Sequence, residues 1–188
     1  MKMQVGHASL PKLGESENGD RPFHRQDTEG RHLVAVIDGL GHGHEAQLAA
    51  LAALRYLAEM PLTKRLEEVM PELHESMRGT RGAAGTVCIA SGSELVACAV
   101  GNVDLRLVRA EIPLISSAGI LGVRVQKFRI CRATIKSACR LVIFSDGITN
   151  PTSLAEFQSV SPQLACEGVL QRHRRTYDDA TVLIADVE

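Results

Sequence analysis

This sequence of 188 residues has few aromatic residues and almost no net charge. Only 3% of the residues are aromatic and tryptophan is absent, whereas 45% are hydrophobic, so the core must be built from Val, Leu, Ile and Ala. The formal net charge is −1 with the seven histidines counted as neutral. This balance gives no electrostatic reason to expect a nucleic acid or an anionic membrane as a partner.

Long apolar runs and cysteine motifs are missing as well. No apolar run reaches about 18 residues and no basic segment followed by an apolar one opens the chain, so we expect a soluble, cytoplasmic protein. The length suggests a single domain over 1–188. The five cysteines form no CxxC pair and lie mostly in apolar segments, which favours buried, reduced thiols over a zinc site or a disulfide framework. A three-residue hairpin loop at 92–94 would place Cys88 opposite Cys98.

Hydrophobic periodicity predicts eight strands and three helices. The predicted strands lie over 3–10, 32–37, 86–90, 95–100, 104–109, 128–135, 141–144 and 180–186. The predicted helices lie over 44–60, 63–77 and 162–173, the last with Ser161 as N-cap and Pro162 at the first helical position. Because the strands do not alternate with helices, the order favours an α+β fold of mostly antiparallel sheet covered by segregated helices.

Three acidic positions stand at the ends of predicted buried strands. Asp38 follows LVAVI, Asp146 follows LVIFS, and Asp178 lies just before ATVLIA. Each Asp taken alone is an ordinary turn residue. With the three strands side by side, however, the carboxylates converge, and such a cluster without His or Cys ligands suits the hard cations Mg²⁺ and Mn²⁺.

The glycine-rich turn after Asp38 reads GLGHG, which is neither a dinucleotide fingerprint nor a Walker loop. An acid before the turn would repel a bound pyrophosphate. We therefore expect the glycines to let the backbone approach a metal ion, with the Gly39 carbonyl oxygen as a candidate ligand.

These residues resemble a known family. The motifs DGLGHG, GTV, GN, LG, SDGI and DDAT occur in the order found in the PPM-type metal-dependent protein serine/threonine phosphatases, and the small bacterial branch that acts in stress signalling fits best. The resemblance covers nearly the whole chain. It implies a PPM-phosphatase-like sandwich of two mostly antiparallel sheets flanked by helices, with a two-metal centre at one end.

The resemblance also implies roles for single residues. Asp38 would bridge two Mn²⁺ or Mg²⁺ ions, and the Gly39 carbonyl would ligate one of them. Asp146 and Asp178 would ligate the other ion, and Asp20 would hold metal-bound water. Asp38, Asp146 and Asp178 are therefore the predicted catalytic residues.

Some positions depart from the family pattern or match it only loosely. Leu40 stands where larger relatives have a histidine that is a candidate general acid, and Glu15 stands where they have a phosphate-binding arginine. Asn102 stands at a position where the family often has Asp. Asp179 matches a position that is Asn or Asp in the family and whose side chain would support the metal ligands without binding the metal.

Other side chains are candidates for the missing roles. His42 and His44 are either metal ligands or proton donors beside the site, or exposed residues near a helix start. Arg21, Arg25 and Arg81 are either the receivers of a substrate phosphate or solvated surface residues.

The leading functional hypothesis is metal-dependent hydrolysis of phosphoserine or phosphothreonine on a protein. The resemblance implies phosphorylated STAS-domain scaffold proteins of a stress-signalling complex as the substrate. One alternative is a pseudophosphatase that acts as a binding module. Another is a nucleotide-binding α/β protein, against which the misplaced acid and the strand-rich middle of the chain argue.

Overall fold

The computed structural model describes residues 2–149 and 157–188, which form eleven strands and three helices. The strands are β1 (Met3–Leu10), β2 (Asp20–Gln26), β3 (His32–Gly39), β4 (Ala83–Ser91), β5 (Glu94–Val100), β6 (Asp104–Val108), β7 (Gly119–Ile120), β8 (Arg124–Val125), β9 (Ile130–Thr134), β10 (Cys139–Phe144) and β11 (Ala180–Val187). The helices are α1 (His44–Glu59), α2 (Leu66–Ser76) and α3 (Pro162–His173).

Two antiparallel sheets form the centre of the molecule. One has five strands in the order β2-β3-β4-β5-β9, and the other has four strands in the order β1-β11-β10-β6. Strands β7 and β8 make a small separate ribbon. The predicted α+β sandwich is confirmed. Every strand pair within both large sheets is antiparallel, and the helices do not alternate with single strands along the chain.

The alternation of side chains along β3 shows how the layers are built. Leu33 and Ile37 pack in a cluster with α1 and α2 on the outer face of the five-stranded sheet. Val34 and Val36 point the other way, into the core between the two sheets. Helix α3 covers the outer face of the four-stranded sheet. A side chain fully buried in any of these clusters contributes roughly 1.5–3 kcal/mol of hydrophobic stabilisation.

The helices follow from local sequence. Helix α1 buries a face made mostly of alanines, which lets its axis lie close to the sheet. Ser161 caps α3 through its Oγ, which accepts from the Leu164 N–H at 3.5 Å, as predicted. No helix in the described ranges is long and apolar enough to cross a membrane.

All predicted strands and helices are present, with ends displaced by up to three residues, but β2, β7 and β8 were not predicted. The three-residue loop that would place Cys88 opposite Cys98 does not form. The loop has two residues, so Cys88 lies opposite Ala97 and Cys98 opposite Val87. This one-residue change of register places the two thiols on opposite faces of the sheet. The five cysteines are free and buried, as expected.

Candidate metal centre

The predicted acids come from both sheets. Asp38 lies on β3 with the same parity as Val34 and Val36, so its side chain faces the second sheet. Asp20 is its direct cross-strand partner on β2. Asp146 follows β10 by two residues, and Asp178 precedes β11 by two.

The expectation that all three strands lie side by side in one sheet is corrected by this topology. Strands β10 and β11 are neighbours, but β3 belongs to the opposite sheet. The acids nevertheless meet, because the ends of these strands open onto one cleft of about 370 Å³ between the sheets. The cleft is lined by Asp38, Leu40, Gly41, His42, Ala84, Asn102, Asp146, Tyr177 and Asp178.

The carboxylates repel one another in this cleft. Burial raises the pKa of the Asp38 carboxyl well above its usual range, and the charges of Asp20, Asp146 and Asp178 raise it further. Burial also raises the pKa of Asp178, and the charge of Asp146 adds to the rise. A site that stays ionised at neutral pH therefore gains from positive charge placed among these groups.

Asp20 lies beneath the cleft and is only 1% exposed. Burial raises the pKa of its carboxyl group. Its Oδ2 accepts a hydrogen bond from Ser145 Oγ at 2.5 Å, and Ser145 Oγ in turn accepts from the Thr181 N–H at 3.0 Å. In the described part of the chain its Oδ1 has no hydrogen-bond partner. A buried acceptor without a donor is a place where a water molecule can bind, and the role of Asp20 in holding metal-bound water stays a prediction.

Two polar neighbours of the acids received no role from the sequence. Ser145 belongs to the SDGI motif, and its hydroxyl fixes Asp20. Asn102 was noted only as a departure from Asp, yet its Nδ2 donates to Asp146 Oδ2 at 2.6 Å. An aspartate there would repel Asp146, whereas the amide holds it. The sequence could not predict these contacts, because the partners are 44 and 125 positions apart and meet only when the two sheets stack.

The donor set fits a hard divalent cation. Within residues 2–149 and 157–188, no three His, Cys, Asp or Glu side chains are placed so that they could hold one metal ion. Asp38, Asp146 and Asp178 line the same cleft, however, and all three supply oxygen ligands of the kind that Mg²⁺ and Mn²⁺ prefer. A bound divalent cation would neutralise the repulsion among these carboxylates, and Asp20 beneath them has a carboxylate oxygen without a hydrogen-bond partner in the described ranges.

Packing against α1 explains why residue 39 is a glycine, which the sequence alone does not indicate. A Cβ built on Gly39 would lie 2.0 Å from the backbone oxygen of Ala46, so only glycine lets the start of α1 pack against this strand end. The Gly39 N–H donates to the Gly19 carbonyl at 3.1 Å. Close packing of α1 thus accounts for this glycine, whether or not its carbonyl ligates a metal.

Asp179 anchors the loop that leads to Asp20. It is 3% exposed, and its two carboxylate oxygens accept from the backbone N–H groups of Lys12, at 2.8 Å, and of Gly19, at 2.9 Å. The loop over 11–19 is therefore tied at both ends to the residue just before β11. The role that the resemblance implies for Asp179, support of the metal ligands, stays a prediction.

Both histidines of the turn are held by that loop. Glu15 Oε1 lies 3.0 Å from His42 Nδ1, and Lys12 Nζ lies 3.0 Å from His42 Nε2. Glu17 Oε1 lies 2.8 Å from His44 Nδ1, and this contact raises the pKa of His44. His42 lines the cleft, whereas His44 does not.

Comparison with known proteins agrees with this fold. A solved structure from work on the bacterial stressosome, described as a modular system adapted to control secondary messenger signalling, has a TM-score of 0.88 and 27% identity, covering 98% of this chain and 100% of the other. RsbX in complex with magnesium has a TM-score of 0.85 and 24% identity, covering 99% and 96%. The catalytic domain of the phosphatase PstP with two manganese ions has a TM-score of 0.78 and 17% identity, covering 99% of each chain. No curated protein matches the sequence.

These neighbours and the two-sheet architecture define the class: the chain has the fold of the PPM-type bacterial serine/threonine phosphatases. A family model described as stage II sporulation protein E (SpoIIE) matches residues 28–188. The chain therefore belongs to the SpoIIE family, whose phosphatase domain is of the PPM type.

Proposed function

We propose that this chain is a cytoplasmic, single-domain, metal-dependent protein phosphatase that hydrolyses phosphoserine or phosphothreonine. The observation that carries the proposal is the convergence of Asp38, Asp146 and Asp178, from two different sheets, on one open cleft. Carboxylates that raise one another's pKa are costly for folding, so their presence together favours a catalytic over a structural role. The five free cysteines suit a reducing compartment.

In this proposal Asp38, Asp146, Asp178 and the Gly39 carbonyl hold two Mn²⁺ or Mg²⁺ ions, and Asp20 acts through water. When bound, the ions supply a Lewis acid that lowers the pKa of water and neutralises the phosphate oxygens. The Asn102 amide orients the Asp146 carboxylate. Among the described residues no cysteine lines the cleft, and the proposed metal-dependent reaction needs no thiol nucleophile.

The proposed substrate is a phosphorylated STAS-domain protein of a stress-signalling complex. Support comes from the likeness to RsbX and to the structure from work on the stressosome. A pseudophosphatase is not favoured, because all three predicted ligand carboxylates are in place around the cleft.

The test is hydrolysis of p-nitrophenyl phosphate by the purified chain. We expect turnover with Mn²⁺, loss of turnover with excess EDTA, and recovery when Mn²⁺ is restored. Turnover that EDTA leaves unchanged would contradict a metal-dependent reaction. Absence of turnover with Mn²⁺ and with Mg²⁺, on this ester and on a phosphorylated STAS-domain protein, would favour the binding module.

A further inference from the structure

The cleft contains many acids, and the cation expected beside it is replaced by an acid. Glu15 occupies the position where the family pattern has an arginine, and its carboxylate is engaged with His42. A phosphate dianion that enters a cleft lined by Asp38, Asp146 and Asp178 needs positive charge from the protein as well as from metal ions.

Three other basic side chains already have partners. Arg21 donates from Nη1 to the Asn18 and Asp20 carbonyls, at 2.9 and 2.8 Å. Lys12 Nζ contacts His42. Arg25 donates to the carbonyls of Ala58 and Met60. Those carbonyls belong to the C-terminal end of α1, away from the turn at the cleft, so Arg25 is no candidate for the phosphate.

Arg81 differs from these three. Its Nη1 would lie 3.1 Å from a Cβ built on Gly41, and Gly41 lines the cleft together with Asp38. Arg81 is exposed, and in residues 2–149 and 157–188 it has no hydrogen bond or ion pair. Gly41, with a φ of 88°, leaves the space that the guanidinium occupies.

The backbone next to Arg81 is fixed on the turn that follows Asp38. The Leu40 N–H donates to the Gly82 carbonyl at 2.9 Å. The Gly82 N–H donates to Thr80 Oγ1 at 3.1 Å, and Thr80 Oγ1 donates to the Met77 carbonyl at 2.8 Å. Hydrogen bonds thus hold the backbone in place on both sides of Arg81. Because the backbone is already ordered, less conformational entropy is lost when Arg81 binds an anion.

We propose that Arg81 binds the phosphate group of the substrate at this cleft, in place of the cation that Glu15 does not provide. The planar guanidinium presents paired N–H donors that match two phosphate oxygens, which an ammonium group cannot do. The assignment rests on the proposed phosphatase function for its biological meaning, but phosphate binding can be measured without turnover.

The experiment measures binding of inorganic phosphate by calorimetry with Mg²⁺ present, for wild type, Arg81→Ala, Arg81→Lys and the control Arg55→Ala. Arg55 is an exposed arginine of α1 whose side chain has no hydrogen bond or ion pair in the described ranges. We expect Arg81→Ala to weaken binding about tenfold or more, the effect of losing a charged hydrogen bond. Arg81→Lys should fall between, and Arg55→Ala should match wild type. Thermal melting checks that each variant is folded.

Turnover of p-nitrophenyl phosphate, measured in parallel, separates the two proposals. A tenfold loss of phosphate affinity in Arg81→Ala supports the assignment even when wild type shows no turnover, in which case the phosphatase function fails alone. Wild-type phosphate affinity and wild-type KM in Arg81→Ala would overturn the role of Arg81 and leave the phosphatase function standing. A wild type that binds no phosphate, or an equal loss in Arg55→Ala, also overturns the assignment.

Discussion

Asp146 and Asp178 flank the same cleft as Asp38, and their charges raise the pKa of its carboxyl group after burial has done so. Asparagine keeps the shape of aspartate but removes the charge. We expect Asp146→Asn and Asp178→Asn each to abolish Mn²⁺-dependent hydrolysis while the metal-free fold keeps or gains thermal stability, because less repulsion remains among the acids.

Rates on p-nitrophenyl phosphate and melting temperatures without metal test this pair of expectations. Glu59→Gln is the matched control, since it makes the same carboxylate-to-amide change on an exposed residue at the far end of α1. Near-wild-type turnover at saturating Mn²⁺ in either variant would exclude that residue as a required ligand.

The contacts of His42 decide whether it is a proton donor. Lys12 Nζ can only donate, so His42 Nε2 accepts from it, and Nδ1 then carries the proton shared with Glu15. No ring proton is left for a leaving group. We expect His42→Ala to change the rates on an alkyl phosphate and on p-nitrophenyl phosphate by the same factor. A loss of about 10²-fold confined to the alkyl ester would instead identify His42 as the general acid.

The four-stranded sheet is tied to the start of α3 by one buried arginine. Arg140 on β10 donates from Nε and Nη2 to the carboxylate of Asp186, its direct partner on β11, and also to the Phe157 and Val160 carbonyls. Its side chain is 6% exposed, whereas that of Asp186 is 35% exposed. Removal of the cation leaves three acceptor groups without this donor.

We therefore expect Arg140→Ala to lower the free energy of unfolding by about 3 kcal/mol, the low end for a broken buried ion pair because Asp186 is partly solvated. Urea unfolding measures this loss. The double variant Arg140→Met with Asp186→Leu should recover much of it, since no unpaired carboxylate remains. A single variant within about 0.5 kcal/mol of wild type would show that the arginine does not stabilise this junction.

Two histidines pack together at the edge of the five-stranded sheet. The rings of His24 on β2 and His32 on β3 are stacked, with centroids 5.6 Å apart. Burial lowers the pKa of His24, and the charges of His32 and of His7 on β1 lower it further. The unfolded chain then binds the proton more readily than the folded chain does. The stability linked to His24 is complete above pH 6.5, its ordinary pKa, and is lost as the pH falls through the lower folded value.

Between pH 7.5 and about pH 5 we expect the free energy of unfolding of wild type to fall relative to that of His24→Gln, while protonation of acids with a raised pKa, such as Asp38, stabilises both proteins equally. Urea unfolding across this pH range provides the measurement. His44→Gln is the control, because Glu17 raises the pKa of His44 and its removal cannot flatten a loss of stability on acidification. An unchanged slope in His24→Gln would locate the acid sensitivity elsewhere.

The elements differ in how far sequence predicts them. Strands β3, β10 and β11 are continuous apolar runs because both faces are buried, and the sequence located all three. Strand β2 carries Pro22 and His24 at a sheet edge and lies half in solvent, so it has no such run. The acids at the ends of these strands could be predicted as well, because each stands next to a continuous apolar run. Their meeting across two sheets was not, because it depends on which sheet each strand joins.

At the scale of the whole molecule, the stacking of two sheets explains where a site can form. The inner faces of both sheets are apolar along most of their length and fill the core. Charged side chains that face inward are easier to accommodate where the strands end and the sheets open, because water and ions can reach them there. Asp38 on one sheet and Asp146 and Asp178 beside the other occupy that opening, so the cleft follows from the layer architecture.

The surroundings of the cleft indicate how a substrate would be recognised. Leu40 and Tyr177 line it and are 48% and 68% exposed, although large apolar side chains are normally buried. A partner whose phosphorylated residue enters the cleft therefore packs against both side chains. We infer that a folded partner contributes binding energy through surface outside the phosphorylated residue.

We therefore expect a short phosphopeptide to be a poorer substrate than the intact phosphoprotein from which its sequence is taken. The difference in kcat/KM should be at least about tenfold, which corresponds to roughly 1.4 kcal/mol of contacts that the peptide cannot make. Both substrates would be compared at the same Mn²⁺ concentration, with the same phosphoprotein in unfolded form as the control for the phosphosite sequence. Leu40→Ser and Tyr177→Ser should reduce kcat/KM for the folded phosphoprotein more than for the peptide, because both substrates enter the cleft that these residues line but the folded protein makes more contacts beside it. Equal kcat/KM values for peptide and folded protein would show instead that the residues around the phosphate carry the specificity.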